Sequence, residues 1–151
     1  MKAQELGHLV LYVRDVDLSA TFYSEVLGFR PVIDRPPGQR GVMYRTESDR
    51  THHELLLIEV GPDAAPLPTG VRVGLFHFGV KIGDDGADLR EAASALRAAG
   101  VTITSAVDHG ATRSLYVEDP DGNEIELYVD VPAVDWRADP NVINRYEPID
   151  I

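Results

Sequence analysis

The feature that most restricts the fold is an internal repeat. Gly7-His8 answers Phe76-His77, Leu27-Gly28-Phe29 answers Ala99-Gly100-Val101, and Glu54-Leu55 answers Glu126-Leu127. Between these markers the hydrophobic period changes in the same order twice, from two to 3.6 and back to two. In the first half, Gly7–Val13 reads as a strand with Leu9, Leu11 and Val13 on one face and His8, Val10 and Tyr12 on the other. Asp17 then caps a helix over Leu18–Leu27, with Leu18, Phe22 and Val26 as its stripe and Gly28 as its stop. Phe29–Asp34, Gly41–Thr46 and His52–Val60 follow as strands.

The second half repeats this order. Leu75–Ile82 is a strand, Ala87–Ala99 a helix with the stripe Leu89, Ala92/Ala93, Leu96 and Ala99, and Val101–Val107 a strand. The last two strands flank the turn Pro120-Asp121-Gly122-Asn123, where proline fixes one φ and glycine accepts a positive one. Ile125, Leu127 and Val129 share one side of the final strand, leaving Glu124, Glu126 and Tyr128 on the other. The expected architecture is α+β: two βαβββ modules forming a cupped mixed sheet around a metal-binding cavity. The modules span 1–61 and 75–131, a Pro/Gly-rich linker spans 62–74, and 132–151 forms a C-terminal arm packed over the body or against a partner.

Composition narrows the function. There are 25 acidic and 14 basic residues, a net charge of −11, which argues against a nucleic-acid groove and against an anionic membrane as partner. No apolar run approaches a membrane span, and the N-terminus lacks a signal-peptide pattern. There are no cysteines, so any transition metal must be held by His, Asp or Glu. This fits a cytoplasmic location.

Strand parity supplies the candidate site. His8, His77 and Glu126 all stand opposite the apolar positions of their strands, and so point away from the helices. A single strand histidine is ordinarily a hydrogen-bonded side chain. Two imidazoles and a carboxylate at matching parity in repeat-related strands form a 2-His-1-carboxylate set, which suits Fe(II), Mn(II), Ni(II) or Zn(II) and leaves open positions on the metal.

The segments Gly7-His8-Leu-Val-Leu-Tyr-Val13, Phe22-Tyr23-Ser-Glu-Val-Leu-Gly-Phe29, Phe76-His77-Phe78 and Tyr116-Val-Glu-Asp-Pro-Asp-Gly-Asn-Glu-Ile-Glu126 resemble the vicinal oxygen chelate superfamily. That superfamily contains glyoxalase I, the bleomycin and fosfomycin resistance proteins and the extradiol dioxygenases. The resemblance implies paired βαβββ modules and a divalent metal on His8, His77 and Glu126. His52-His53, Tyr116 and Asp108-His109-Gly110 are most similar to the catechol 2,3-dioxygenase-like branch. That branch implies Fe(II), a catechol-like aromatic substrate and O₂, with a homodimer as the family expectation. It assigns acid/base work to His53, a hydrogen bond to a substrate oxygen to Tyr116, and the substrate side of the site to His109.

Two other readings carry different chemistry. A glyoxalase I-like lyase or isomerase would use Glu54, the repeat partner of Glu126, as a fourth ligand. A drug-binding resistance protein would need no metal at all. Alternation along the fourth strand places Glu54 and His52 on the cavity face and His53 on the helix face, against the dioxygenase assignment. A β-bulge near His52 would reconcile them.

Overall fold

The computed structural model describes residues 1–48 and 50–151. They form two compact units, Met1–Leu67 and Pro68–Ile151, divided within the proline- and glycine-rich stretch. Both are α+β. In the first unit, β1 (Leu9–Val13), β2 (Arg30–Pro31), β3 (Gly41–Arg45) and β4 (Leu55–Glu59) form a sheet in the order β1-β4-β3-β2. In the second, β5 (His77–Gly83), β6 (Ser105–Asp108), β7 (Thr112–Glu118), β8 (Glu124–Asp130) and β9 (Glu147–Pro148) take the order β5-β8-β7-β6-β9. The opening strand of each unit pairs in parallel with the fourth, and all other pairs are antiparallel. The repeat is therefore one of topology as well as sequence, with β9 added to the second copy.

The two helices start by different devices. α1 (Val16–Thr21) is capped by Asp15, whose carboxylate accepts from the amides of Asp17 and Leu18. The expected cap, Asp17, lies inside the first turn. This shift rotates the buried face to Val16, Ser19, Phe22 and Tyr23, so Leu18, expected in the stripe, is exposed. A π-helical turn over Phe22–Val26 then carries the chain to Gly28, whose φ of 74° ends it. Tyr23, Phe29 and Tyr44 close the core of this unit, with Tyr23 fully buried and edge-on to Phe29.

In the second unit α2 (Gly86–Ala98) buries Leu89, Ala93 and Leu96, as its spacing predicts. Asp85 caps it by accepting from Ala87 N and Asp88 N, while Asp88 accepts in return from Asp85 N. Such a reciprocal cap satisfies amides that the first helical turn leaves unpaired. Asp85→Ala is expected to lower unfolding stability by about 1 kcal/mol, readable as a shift in the urea midpoint at constant slope.

Several strands are shorter than the sequence suggests, β2, β4 and β6 most clearly. β2 stops at Pro31, which has no N–H to give and is tolerated because β2 is an edge. β6 begins only at Ser105, residues 101–104 lying outside the strand. The turn after β7 is built by Asp119, buried, whose carboxylate accepts from Asp121 N, Asn123 N and Asn123 Nδ2. Gly122 supplies φ +84° at its end. These bonds give the Asp-Pro-Asp-Gly segment a structural task.

Candidate active site

Parity along β8 is as the sequence predicts: Ile125, Leu127 and Val129 are buried, while Glu124, Glu126 and Tyr128 alternate onto the other face. β7 pairs with it so that Tyr116 stands opposite Glu126 and Ser114 opposite Tyr128. β5 lies along its other edge, with His77 opposite Glu124 and Gly79 opposite Glu126. This register gathers a carboxylate, an imidazole, a phenol and a hydroxyl on one face of the second unit.

Glu126 is the hub. Its Oε1 accepts a 2.6 Å hydrogen bond from Ser114 Oγ, and its Oε2 lies 3.4 Å from His77 Nε2. Two donor atoms bound at about 2.1 Å to one cation, at angles between a right angle and a tetrahedral one, stand about 3.0–3.4 Å apart. The spacing of the pair fits a shared divalent ion. The other face of the imidazole fits as well. His77 Nδ1 is buried and makes no hydrogen bond, yet Glu124 Oε1 is only 3.3 Å away. A metal-ligating histidine ordinarily gives its second N–H to a carboxylate, and Glu124 is placed to be that carboxylate.

Tyr116 borders this pair. Its ring is edge-on to His77 at 5.5 Å, and its hydroxyl is 2.9 Å from His109 Nε2. Burial first, and then the Glu126 carboxylate beside it, push the phenol pKa well above its ordinary value. Tyr116 thus remains a neutral hydroxyl. His109 Nε2 is also 3.8 Å from Glu126 Oε1, too far for a hydrogen bond.

The first unit holds the remaining histidines. His8 is exposed and immediately precedes β1; its ring lies 4.5 Å from that of His53. His52 and His53 approach through their Nδ1 atoms at 2.5 Å. Partial burial, then the neighbouring His52 and His8, lower the His53 pKa. Both histidines precede β4, with His52 in a bend, so strict alternation does not govern them and no bulge is needed to turn His53 toward His8.

Glu54 is placed differently from expectation. Its Oε2 accepts from Thr46 N at 2.8 Å and its Oε1 from Ser48 Oγ at 3.1 Å, tying the β3–β4 connection. Register also corrects its repeat partner. Leu9 pairs with Leu55, which puts His8 level with Glu54, whereas His77 is level with Glu124. With His8 matched to His77, Glu54 answers Glu124, and the counterpart of Glu126 is Leu56. A leucine cannot ligate a metal.

Within either unit, no three His, Asp or Glu side chains of the described residues stand together as a metal-binding group. Sequence reasoning passed over Ser114, which hydrogen-bonds Glu126, and Glu124, which stands 3.3 Å from His77 Nδ1. The available signal was parity, since Ser114 shares the face of Tyr116, and Glu124 that of Glu126. Among the described residues, no helix is long and apolar enough to cross a membrane.

A family model described as the Glyoxalase/Bleomycin resistance protein/Dioxygenase superfamily matches residues 5–127. Catechol-2,3-dioxygenase of Bacillus subtilis (strain 168) is 34% identical over 134 residues, covering 89% of this chain and 44% of the relative. Biphenyl-2,3-diol 1,2-dioxygenase 3 of Rhodococcus globerulus is 35% identical over 127 residues, covering 83% of this chain and 63% of the relative. The chain thus spans about half to two thirds of the length of these curated relatives. Among solved structures, a lactoylglutathione lyase from Agrobacterium tumefaciens superposes with a TM-score of 0.61 at 26% identity, covering 85% of this chain and 96% of that one. A glyoxylase/bleomycin resistance protein/dioxygenase domain from Frankia sp. EAN1pec shares the fold, with a TM-score of 0.68 at 22% identity, covering 86% and 100%.

Proposed function

The chain belongs to the Glyoxalase/Bleomycin resistance protein/Dioxygenase superfamily, and from that membership we propose that it is a metal-dependent, extradiol-type ring-cleaving dioxygenase. Its substrates would be a catechol-like aromatic compound and O₂. Two relatives named as dioxygenases of aromatic diols, at 34% and 35% identity, support the reaction class. The observation that carries it is the Tyr116–His109 hydrogen bond set beside the His77–Glu126 donor pair.

His8, His77 and Glu126 would hold the metal. Bound there, Fe(II), or alternatively Mn(II), would supply Lewis acidity and a site for oxygen chemistry. The protein's own groups divide the rest. Ser114 orients Glu126 through Oε1, and Glu124, 3.3 Å from Nδ1, would take the second N–H of a metal-bound His77. Tyr116 hydrogen-bonds a substrate oxygen, and His109 fixes Tyr116 from the substrate side. His53, kept neutral by its lowered pKa, accepts the proton of a catechol hydroxyl. Both atoms of O₂ enter the ring-opened product, so the balance needs no external reductant.

A glyoxalase-like lyase is the competing reading, favoured by the 26% identity to a lactoylglutathione lyase. It requires a fourth protein ligand, and Glu54 would have to leave Thr46 and Ser48 to provide one. The test is reconstitution with Fe(II) without air, followed by addition of catechol in oxygenated buffer. Oxygen uptake matching catechol consumed, with a yellow product, is expected. Hemithioacetal turnover with Ni(II) or Zn(II) and no oxygen uptake would replace this reading with the lyase. Protein that binds no metal would leave a drug-binding role.

A further inference from the structure

We propose that the C-terminal arm sets the tautomer of His109 and thereby the direction of the Tyr116 hydrogen bond. The arm, residues 132–151, docks on β6 and the loop that follows it. β9 pairs with β6 through Val107–Pro148 and Asp108–Glu147, and Ile149 N donates to Ala106 O at 3.0 Å. A 3₁₀ turn over Pro140–Asn144 lies on Gly110 so closely that a Cβ there would stand 2.1 Å from the Val142 carbonyl oxygen. Only glycine accommodates both this approach and the local φ of +82°. Between these contacts the guanidinium of Arg145 reaches Asp108, which is buried and also bonded by Arg113 and by Gly110 N.

The docked arm brings the Arg145 carbonyl oxygen to 3.2 Å from His109 Nδ1, and the Tyr146 ring edge-on to the imidazole at 5.7 Å. A carbonyl oxygen can only accept, so Nδ1 carries the proton. In a neutral imidazole the other nitrogen is then a lone pair. His109 Nε2 accepts from the Tyr116 hydroxyl, 2.9 Å away. With Nε2 as acceptor, the single proton of Tyr116 goes to His109 in preference to the Glu126 carboxylate, which also lies within its reach, and the phenol oxygen turns its lone pairs outward. It therefore accepts a hydrogen bond from a ligand and selects one bearing a protonated hydroxyl. Arg145 acts as a positioning residue through its backbone, a task invisible in its side chain.

The arm's control of the tautomer stands by itself; only its consequence for a catechol rests on the dioxygenase reading. The test is two-bond ¹H–¹⁵N correlation of histidine-labelled, metal-free full chain at alkaline pH, with His109 assigned from the spectrum of His109→Gln. The Nδ1–H pattern is expected. It should be lost in a chain ending at Asp139, and equally in Gly110→Ala, which keeps the arm but displaces it. With catechol as probe, both variants should lose about tenfold in kcat/KM, the worth of one hydrogen bond. An Nε2–H pattern in the full chain would overturn the proposal, because Tyr116 would then donate elsewhere, Glu126 being beside it. An Nδ1–H pattern surviving in a folded variant would overturn it too. A confirmed tautomer without catechol turnover would count against the dioxygenase reading alone.

Discussion

Replacing Glu126 by Gln, His77 by Ala or His8 by Ala is expected to abolish stoichiometric Fe(II) binding, and any oxygen uptake with it. Each change removes a donor atom outright, leaving at most two of the three proposed ligands. The amide of Glu126→Gln keeps the shape and the Ser114 contact but loses the charge, so it separates ligation from packing. Ser114→Ala makes a useful companion. It leaves all three proposed ligands in place and frees only Glu126 Oε1, now held at 2.6 Å. Removing a partner that orients a ligand costs about 10–100-fold in metal affinity, so Ser114→Ala should fall between the parent and the ligand variants. Equilibrium dialysis with metal analysis reads the series. Full stoichiometry in His8→Ala would show that the third ligand comes from elsewhere and would dissolve the proposed triad.

The series also reflects how the candidate site could be read from sequence. Alternation along β8 and β1 fixes which face each side chain takes, because a one-residue slip would turn every buried residue outward. Ile125, Leu127 and Val129, with Leu11 and Val13, anchor that choice, and Glu126 follows from it. Pairing between strands is less legible. Nothing in the residues alone says whether Glu54 lies level with the first histidine or two positions on, and backbone register moved its counterpart from Glu126 to Glu124. The α1 stripe slipped for a related reason. Asp15 and Asp17 are both competent caps, and the choice of Asp15 rotates the buried face away from Leu18. The arm gave no periodic signal because it is held by single contacts, a glycine, a carbonyl and one short strand, rather than by a repeating apolar face.

His53→Ala is expected to lower kcat for the proposed ring cleavage by about 10²–10⁴-fold, the ordinary worth of a positioned acid–base group, while leaving metal content unchanged. The two readouts together distinguish the role. The His53 ring lies 4.5 Å from that of His8, tilted by 37°, near enough to serve a substrate held beside that residue. Its neutral form is favoured by burial and by two neighbouring imidazoles, which makes it a ready proton acceptor. His52 shares the short Nδ1 contact but is exposed and sits in the bend. His52→Ala should therefore affect turnover far less than His53→Ala. Loss of metal in His53→Ala would make His53 a ligand or a support of His8 rather than a proton carrier. Equal losses of kcat in the two variants would assign the effect to the imidazole cluster as a whole. A large loss confined to His53, with metal retained, requires a proton-transfer step, and neither a passive drug-binding role nor a purely structural histidine pair would produce it.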